Sequence, residues 1–128
     1  MNPDTPKWLS QAEGDFHTAR RELRARKAPN FDAVCFHAQQ GVEKYLKAVL
    51  TEAGVAFTRT HDLMVLLDLC LPAAPLLESC RTSCAMLKNF AVHVRYPGEE
   101  TSREIARDAL NRAEAIRSAI RTHLGLSD

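Results

Sequence analysis

Hydrophobic residues recur every three or four positions along most of the chain, a spacing that places them on one side of an α-helix. Turn-forming residues divide this pattern into helix-length segments, and we predict helices over residues 5–27, 30–54, 62–70, 76–94 and 101–125. Asn30 and the capping-box sequence at 101–104 are typical helix starts, and Gly54 is a typical helix end. No segment alternates as a β-strand does, so the pattern predicts an all-α protein.

The turns between the predicted helices are short, which favours antiparallel neighbours. We therefore predict an up-and-down bundle of four long helices, in which the short helix at 62–70 bridges two long ones. The 128 residues allow one such domain, with its core at about residues 8–124. Phe36 falls among polar residues on the far side of the second helix, so another helix or a second subunit is expected to cover it.

Composition supports a compact domain and limits the partners it can attract. A hydrophobic content of 45% excludes intrinsic disorder, and a net charge of +1 means that binding to nucleic acid requires a local patch. The most hydrophobic stretch, 63–77, is interrupted by Asp68, Pro72 and Pro75. We therefore predict a cytoplasmic protein that does not enter a membrane.

The cysteines lack the paired C-x2-C spacing of a zinc site; they are Cys35, Cys70, Cys80 and Cys84. Two of them stand one helical turn apart beside leucines. Free cysteine is among the most buried residue types, so we predict buried free thiols. The sequence predicts no metal site and no bound cofactor.

Three polar clusters carry the candidate chemistry. They comprise Gln40, Glu43, Lys44 and Lys47 on the second helix, His61 before the third, and His93, Arg95 and Tyr96 at the end of the fourth. Lys47 and Arg95 are suited to phosphate oxygens and Tyr96 to stacking on a base. Because the second-helix residues share the side of Phe36, we predict a common groove that binds nucleotide or RNA.

Each cluster also has a purely structural interpretation. Glu43 and Lys47, four residues apart, fit an exposed helical ion pair worth about 0.3 to 0.5 kcal/mol. His61 lies where a helix dipole favours a neutral imidazole that can act as a general base, but the favoured interpretation is that His61 and Asp62 only cap and brace the short helix. Arg95 can reach a partner from the helix end or cap the last carbonyls of its own helix.

The order of the motifs resembles that of the HEPN domain, named for higher eukaryotes and prokaryotes nucleotide-binding. The motifs are Trp8, Ala-x2-Asp at 12–15, His-Ala-Gln-Gln-x2-Glu-Lys-x2-Lys-Ala at 37–48, Thr-His-Asp-Leu at 60–63 and Arg-Tyr-Pro at 95–97, before an Ala-rich last helix. Each motif alone is weak, but their order and spacing together are specific. The resemblance extends over about residues 8–124.

The resemblance implies a five-helix bundle that commonly dimerises and is often encoded beside a minimal nucleotidyltransferase, with which it forms a toxin–antitoxin-like module. Some members are metal-independent endoribonucleases that use Arg-x4-6-His. Arg95 matches that arginine, but residues 96–102 contain no histidine. We therefore expect that this protein is the homodimeric partner of a nucleotidyltransferase and that it binds nucleotide or RNA itself. The alternative is a ribonuclease whose site, at the dimer seam, combines Arg95 with His61 or His93.

Overall fold

The computed structural model describes residues 1–91 and 95–128, and its secondary structure there is entirely helical. The α-helices are α1 (Thr5–Arg24), α2 (Phe31–Ala53), α3 (Leu63–Cys70), α4 (Arg81–Leu87) and α5 (Arg103–His123). Helix α2 is central and packs against α1, α3 and α5. The predicted all-α bundle is confirmed. In the two described ranges, no helix combines the length and the hydrophobicity that a membrane crossing requires.

The ends of the long helices agree with the sequence signals in most places. The Asn30 side chain accepts the Ala33 N–H at 3.0 Å, and Gly54 adopts a left-handed conformation with φ of 71°, so both predicted ends of α2 are confirmed. Helix α1 stops three residues before its predicted end. The predicted capping box is wrong by one position, because Ser102 caps α5 while the Thr101 hydroxyl donates to Asp32.

The fourth helical segment is continuous from residue 75 to residue 90 but is not wound uniformly. Tighter 3₁₀ turns, Pro75–Cys80 and Lys88–Phe90, flank the two turns of α4. Pro75 has no N–H to donate, and its fixed φ suits the first position of a helix. The predicted helix is therefore present in a shorter, mixed form, and its expected end at residue 94 lies outside the described residues.

The core is apolar and excludes water almost completely; its largest members include Phe16, Tyr45, Leu46, Leu66 and Ile116. All four cysteines are buried and free, as predicted. Burial raises the pKa of Cys70 and Cys84 to about 12, so these thiols stay protonated at neutral pH.

A charged clamp joins α1, α2 and α5 at the edge of this core. The Glu13 carboxylate accepts two hydrogen bonds from Arg117, at 2.8 and 2.9 Å, and one from the Tyr45 hydroxyl at 2.7 Å. The hydrogen bonds from Arg117 are the largest cause of a Glu13 pKa of about 2, below the ordinary 4.5.

We expect the Glu13 clamp to lose its stabilising effect in acid. Because the folded pKa lies below the unfolded one, the ionised carboxylate contributes fully above about pH 4.5, and this contribution disappears as pH falls through 2. Urea unfolding of the wild type and of Glu13→Gln between pH 6 and 2 should show the two stabilities converging. Parallel pH profiles would contradict the assignment.

Candidate functional site

Glu43 is an almost fully buried carboxylate that binds both a lysine and a histidine. Its Oε2 accepts a hydrogen bond from Lys47 Nζ at 3.1 Å, and its Oε1 lies 2.9 Å from His61 Nδ1. The Glu43 and Lys47 side chains are 4% and 9% exposed, whereas that of His61 is 72% exposed. The interpretation of Glu43 and Lys47 as an exposed surface pair is therefore wrong.

The loop before α3 holds His61 against α2. The Gln39 amide donates to the His61 carbonyl at 3.2 Å, and the Thr60 hydroxyl accepts the Asp62 N–H at 3.1 Å. Asp62 alone caps α3, accepting the Met64 N–H at 2.9 Å. His61 therefore precedes the helix, and its ring is directed to Glu43 instead of bracing the helix end.

This geometry gives His61 the arrangement of a braced acid–base group. With Nδ1 protonated, the ring donates to Glu43 and leaves Nε2 as an acceptor toward solvent. A carboxylate that orients an imidazole in this way is a recurrent device for proton transfer. The same exposed nitrogen, when protonated, can donate to a phosphate oxygen.

Two aromatic side chains explain why Lys47 is buried. Lys47 Nζ lies 5.5 Å from the centroid of the Trp8 ring, and Trp8 in turn contacts Phe57 with ring centroids 6.3 Å apart. The cation is thus enclosed by its carboxylate partner and an aromatic face. Lys47 is not available in this protomer as the open phosphate ligand that the sequence suggested.

A second buried carboxylate repeats the pattern between α1 and α2. Asp15 contacts Lys44 Nζ at 2.6 Å and His37 Nδ1 at 2.8 Å, and its side chain is 10% exposed. Sequence reasoning predicted Lys44 as a ligand contact but missed Asp15 and His37. The sequence signal that could have identified Asp15 is the Ala-x2-Asp motif, which places an acid on the inner face of α1. Gln40 lies nearby and donates to Gln39 at 2.7 Å.

Arg95 lies at the opposite end of α2 from Lys47. Its Nε is 3.5 Å from Asp32, and its guanidinium lies 5.6 Å from the Phe90 ring centroid. Asp32 and Glu43 are eleven residues apart on one helix, about 16 Å along its axis. The expected common groove is therefore not formed within one protomer.

The remaining candidates have distinct surroundings. Tyr96 is 72% exposed beside Arg95, in a turn where its carbonyl accepts the Glu99 N–H at 3.0 Å. Phe36 is half-buried, with its ring edge-on to His37. His93 lies outside the described residues. Within the described part of the chain, no three His, Cys, Asp or Glu side chains are grouped as a metal site would require.

Comparison with known proteins identifies the family. The fold is similar to the crystal structure of TT1696 from Thermus thermophilus, with a TM-score of 0.80 and 24% identity over 96% of this chain and 99% of that one. That likeness supports the fold alone. No curated protein sequence matches the chain. The model of the HEPN domain matches residues 5–123, nearly the whole length, and the chain therefore belongs to the HEPN domain family.

Proposed function

We propose that this HEPN protein acts as a homodimeric binding partner of a minimal nucleotidyltransferase in a toxin–antitoxin-like module, and that it binds nucleotide or RNA. The position of Arg95 is the observation that favours a binding function over a catalytic one. Acid–base cleavage of RNA requires a cation and a proton acceptor at one phosphate. Arg95 is held by Asp32, about 16 Å along α2 from the carboxylate that orients His61.

The proposed ligand contacts have different roles according to their exposure. Tyr96 is open to a base, and Arg95 lies beside it to contact a phosphate. Gln40 and Lys44, both half-buried on α2, and the exposed His61 supply polar contacts farther along the bundle. Glu43 and Lys47 are buried and act by holding His61 in place.

An apolar strip between the 75–90 segment and α5 fits the proposed dimer. Leu76, Met86 and Ile105 are 88%, 44% and 46% exposed, and they line two grooves between the 75–90 segment and α5. Exposed apolar surface of this kind usually marks an interaction site. In a two-fold dimer the same strip of each copy would be covered by the other.

A second candidate function is that of a metal-independent endoribonuclease. It is favoured by one observation, the exposed His61 imidazole held by the buried Glu43 carboxylate. In this alternative, a second subunit must bring its Arg95 to the His61 of the first. Such a composite site would lie at the dimer seam.

We expect Tyr96→Ala to weaken binding of a labelled nucleotide or short RNA about 5- to 150-fold, because stacking on an aromatic ring is worth about 1–3 kcal/mol per base. The melting temperature should not change, since the side chain is exposed. Tyr96→Phe keeps the ring and should bind as the wild type does. Equal affinity of all three proteins would remove Tyr96 from the site.

The choice between the two functions requires a separate experiment. The protein co-expressed with the nucleotidyltransferase from an adjacent reading frame should elute with it as one complex, with the HEPN chain dimeric by light scattering. Labelled RNA incubated with the purified protein and a chelator should remain intact. Cleavage that persists with chelator and is lost in His61→Ala would replace the leading proposal by the ribonuclease.

A further inference from the structure

We propose that the protein has a second RNA-binding surface where the C-terminal end of α1 adjoins the start of α5, since both carry several cationic side chains. We call it the cationic end; it consists of Arg21, Arg24, Arg26, Lys27, Arg103 and Arg107. It goes beyond the proposed function because it shares no residue with the contacts assigned above.

The cations of this surface differ from most other cations of the protein because they form no ion pair with a carboxylate among the described residues. Nine of the seventeen Lys and Arg residues lie within 4.0 Å of a carboxylate: Lys7, Arg20, Lys44, Lys47, Arg81, Lys88, Arg95, Arg112 and Arg117. Among the described residues, the eight others include all six members of the cationic end. Six of the eight Lys and Arg side chains without an ion pair in the described ranges are therefore placed at one end of the molecule.

The two helices contribute adjoining parts of the cationic end. Arg21 and Arg24 are one turn apart on α1, and Arg26 and Lys27 follow in the loop; all four are exposed. On α5, Arg103 and Arg107 are likewise one turn apart. Arg103 Nη1 donates to the Leu23 carbonyl at 2.9 Å, which joins the start of α5 to the end of α1.

Some acidic side chains near the cationic end are held by other groups, whereas Glu99 and Glu100, four and three residues before Arg103, are exposed and form no ion pair among the described residues. The Glu22 carboxylate accepts the Asn30 N–H, and the Asp32 carboxylate binds Arg95 and Thr101. Glu104 lines the groove beside Met86 on another side of α5. Arg103 also covers the carbonyl at the negative end of the α1 dipole, which lowers the repulsion that an approaching anion would meet there.

The chemistry of this surface fits phosphates better than it fits an acidic protein. Protein interfaces have an apolar centre; residues 21–30, which contribute four of the six cations, expose no large hydrophobic side chain, and on the α5 part only Ile105, at the edge of the apolar strip, is exposed. Five of the six cations are arginines, whose planar guanidinium binds phosphate bidentately. Phosphate contacts by themselves give affinity without base recognition, so we expect sequence-independent binding.

The test replaces Arg24, Arg26 and Lys27 by Ala, since no side-chain hydrogen bond or ion pair of these residues occurs in the ranges 1–91 and 95–128. The probe is a fluorescein-labelled 20-nucleotide single-stranded RNA, titrated by anisotropy between 50 and 200 mM salt. We expect binding at 50 mM salt to weaken at least about tenfold, and the slope of log K against log salt to become shallower by about 2. The control, Lys7, Arg59 and Arg81→Ala, removes the same charge and should lose less than about threefold.

The other outcomes overturn the proposal or separate it from the proposed function. Equal losses in both triple variants would mean that net charge alone governs binding, and the surface would be rejected. Unchanged RNA affinity with loss of the nucleotidyltransferase complex would make the cationic end a protein contact and also reject it. Loss of RNA binding with the complex intact would support it, even if Tyr96→Ala had no effect.

Discussion

Glu43→Ala is expected to lower the free energy of unfolding by about 3–5 kcal/mol, the effect of removing one partner of a buried ion pair. The Lys47 side chain is 9% exposed and lies against Trp8. Without the carboxylate, its ammonium group would be buried with no opposite charge. Urea unfolding followed by circular dichroism measures the loss directly.

An exposed ion pair of the same length provides the control. Lys7 and Asp4 also have an N–O distance of 3.1 Å, but their side chains are 74% and 65% exposed. Lys7→Ala should change stability by less than about 1 kcal/mol. Combining Glu43→Leu with Lys47→Met should recover much of the loss, since no buried charge then remains. Similar losses for Glu43→Ala and Lys7→Ala would contradict the burial argument.

Gly41→Ala is expected to destabilise the protein by about 1–3 kcal/mol, although alanine is the better helix former. A Cβ at this position would lie 2.7 and 2.8 Å from two ring carbons of Phe16. That ring is fully buried and packs edge-on against Tyr45 at 5.9 Å between centroids. Because the ring has little room to move, the overlap outweighs the gain of about 1 kcal/mol in helix propensity.

Gly14→Ala measures the gain in helix propensity without any steric overlap. Gly14 is exposed within α1, and a Cβ there would meet nothing within 4 Å. The substitution should therefore stabilise the protein by about 0.5–1 kcal/mol. Thermal and urea unfolding of both variants should give changes of opposite sign. A stabilised Gly41→Ala protein would show that α1 and α2 can separate without cost.

The fold was predictable from the sequence because most of its signals are local. The Asn30 cap and the Gly54 end of α2 were both readable from a few neighbouring residues. The predicted cap of α5 is one residue too early because the Thr101 hydroxyl donates a hydrogen bond to Asp32, which lies 69 residues away in the sequence. Residues 75–90 departed from regular α-helix where Pro75 starts a 3₁₀ turn.

The candidate site was predictable in its residue types but not in its pairing. Glu43 and Lys47 were recognisable as an ion pair, but their burial depends on Trp8 from another helix. The Asp32 partner of Arg95 stands more than sixty residues earlier in the chain. No local pattern distinguishes that carboxylate from the other acids that a flexible arginine could reach.

The sequence by itself determined an all-α bundle, the approximate limits of its helices and the HEPN motifs, because helical periodicity and capping depend on residues within a few positions of each other. Only the tertiary structure decided that Glu43 orients His61, that Arg95 is bound at the far end of α2, and that unpaired cations gather at the end of α1. The physical reason is that the partner of a charged side chain is selected by long-range packing and burial, to which local spacing contributes no information.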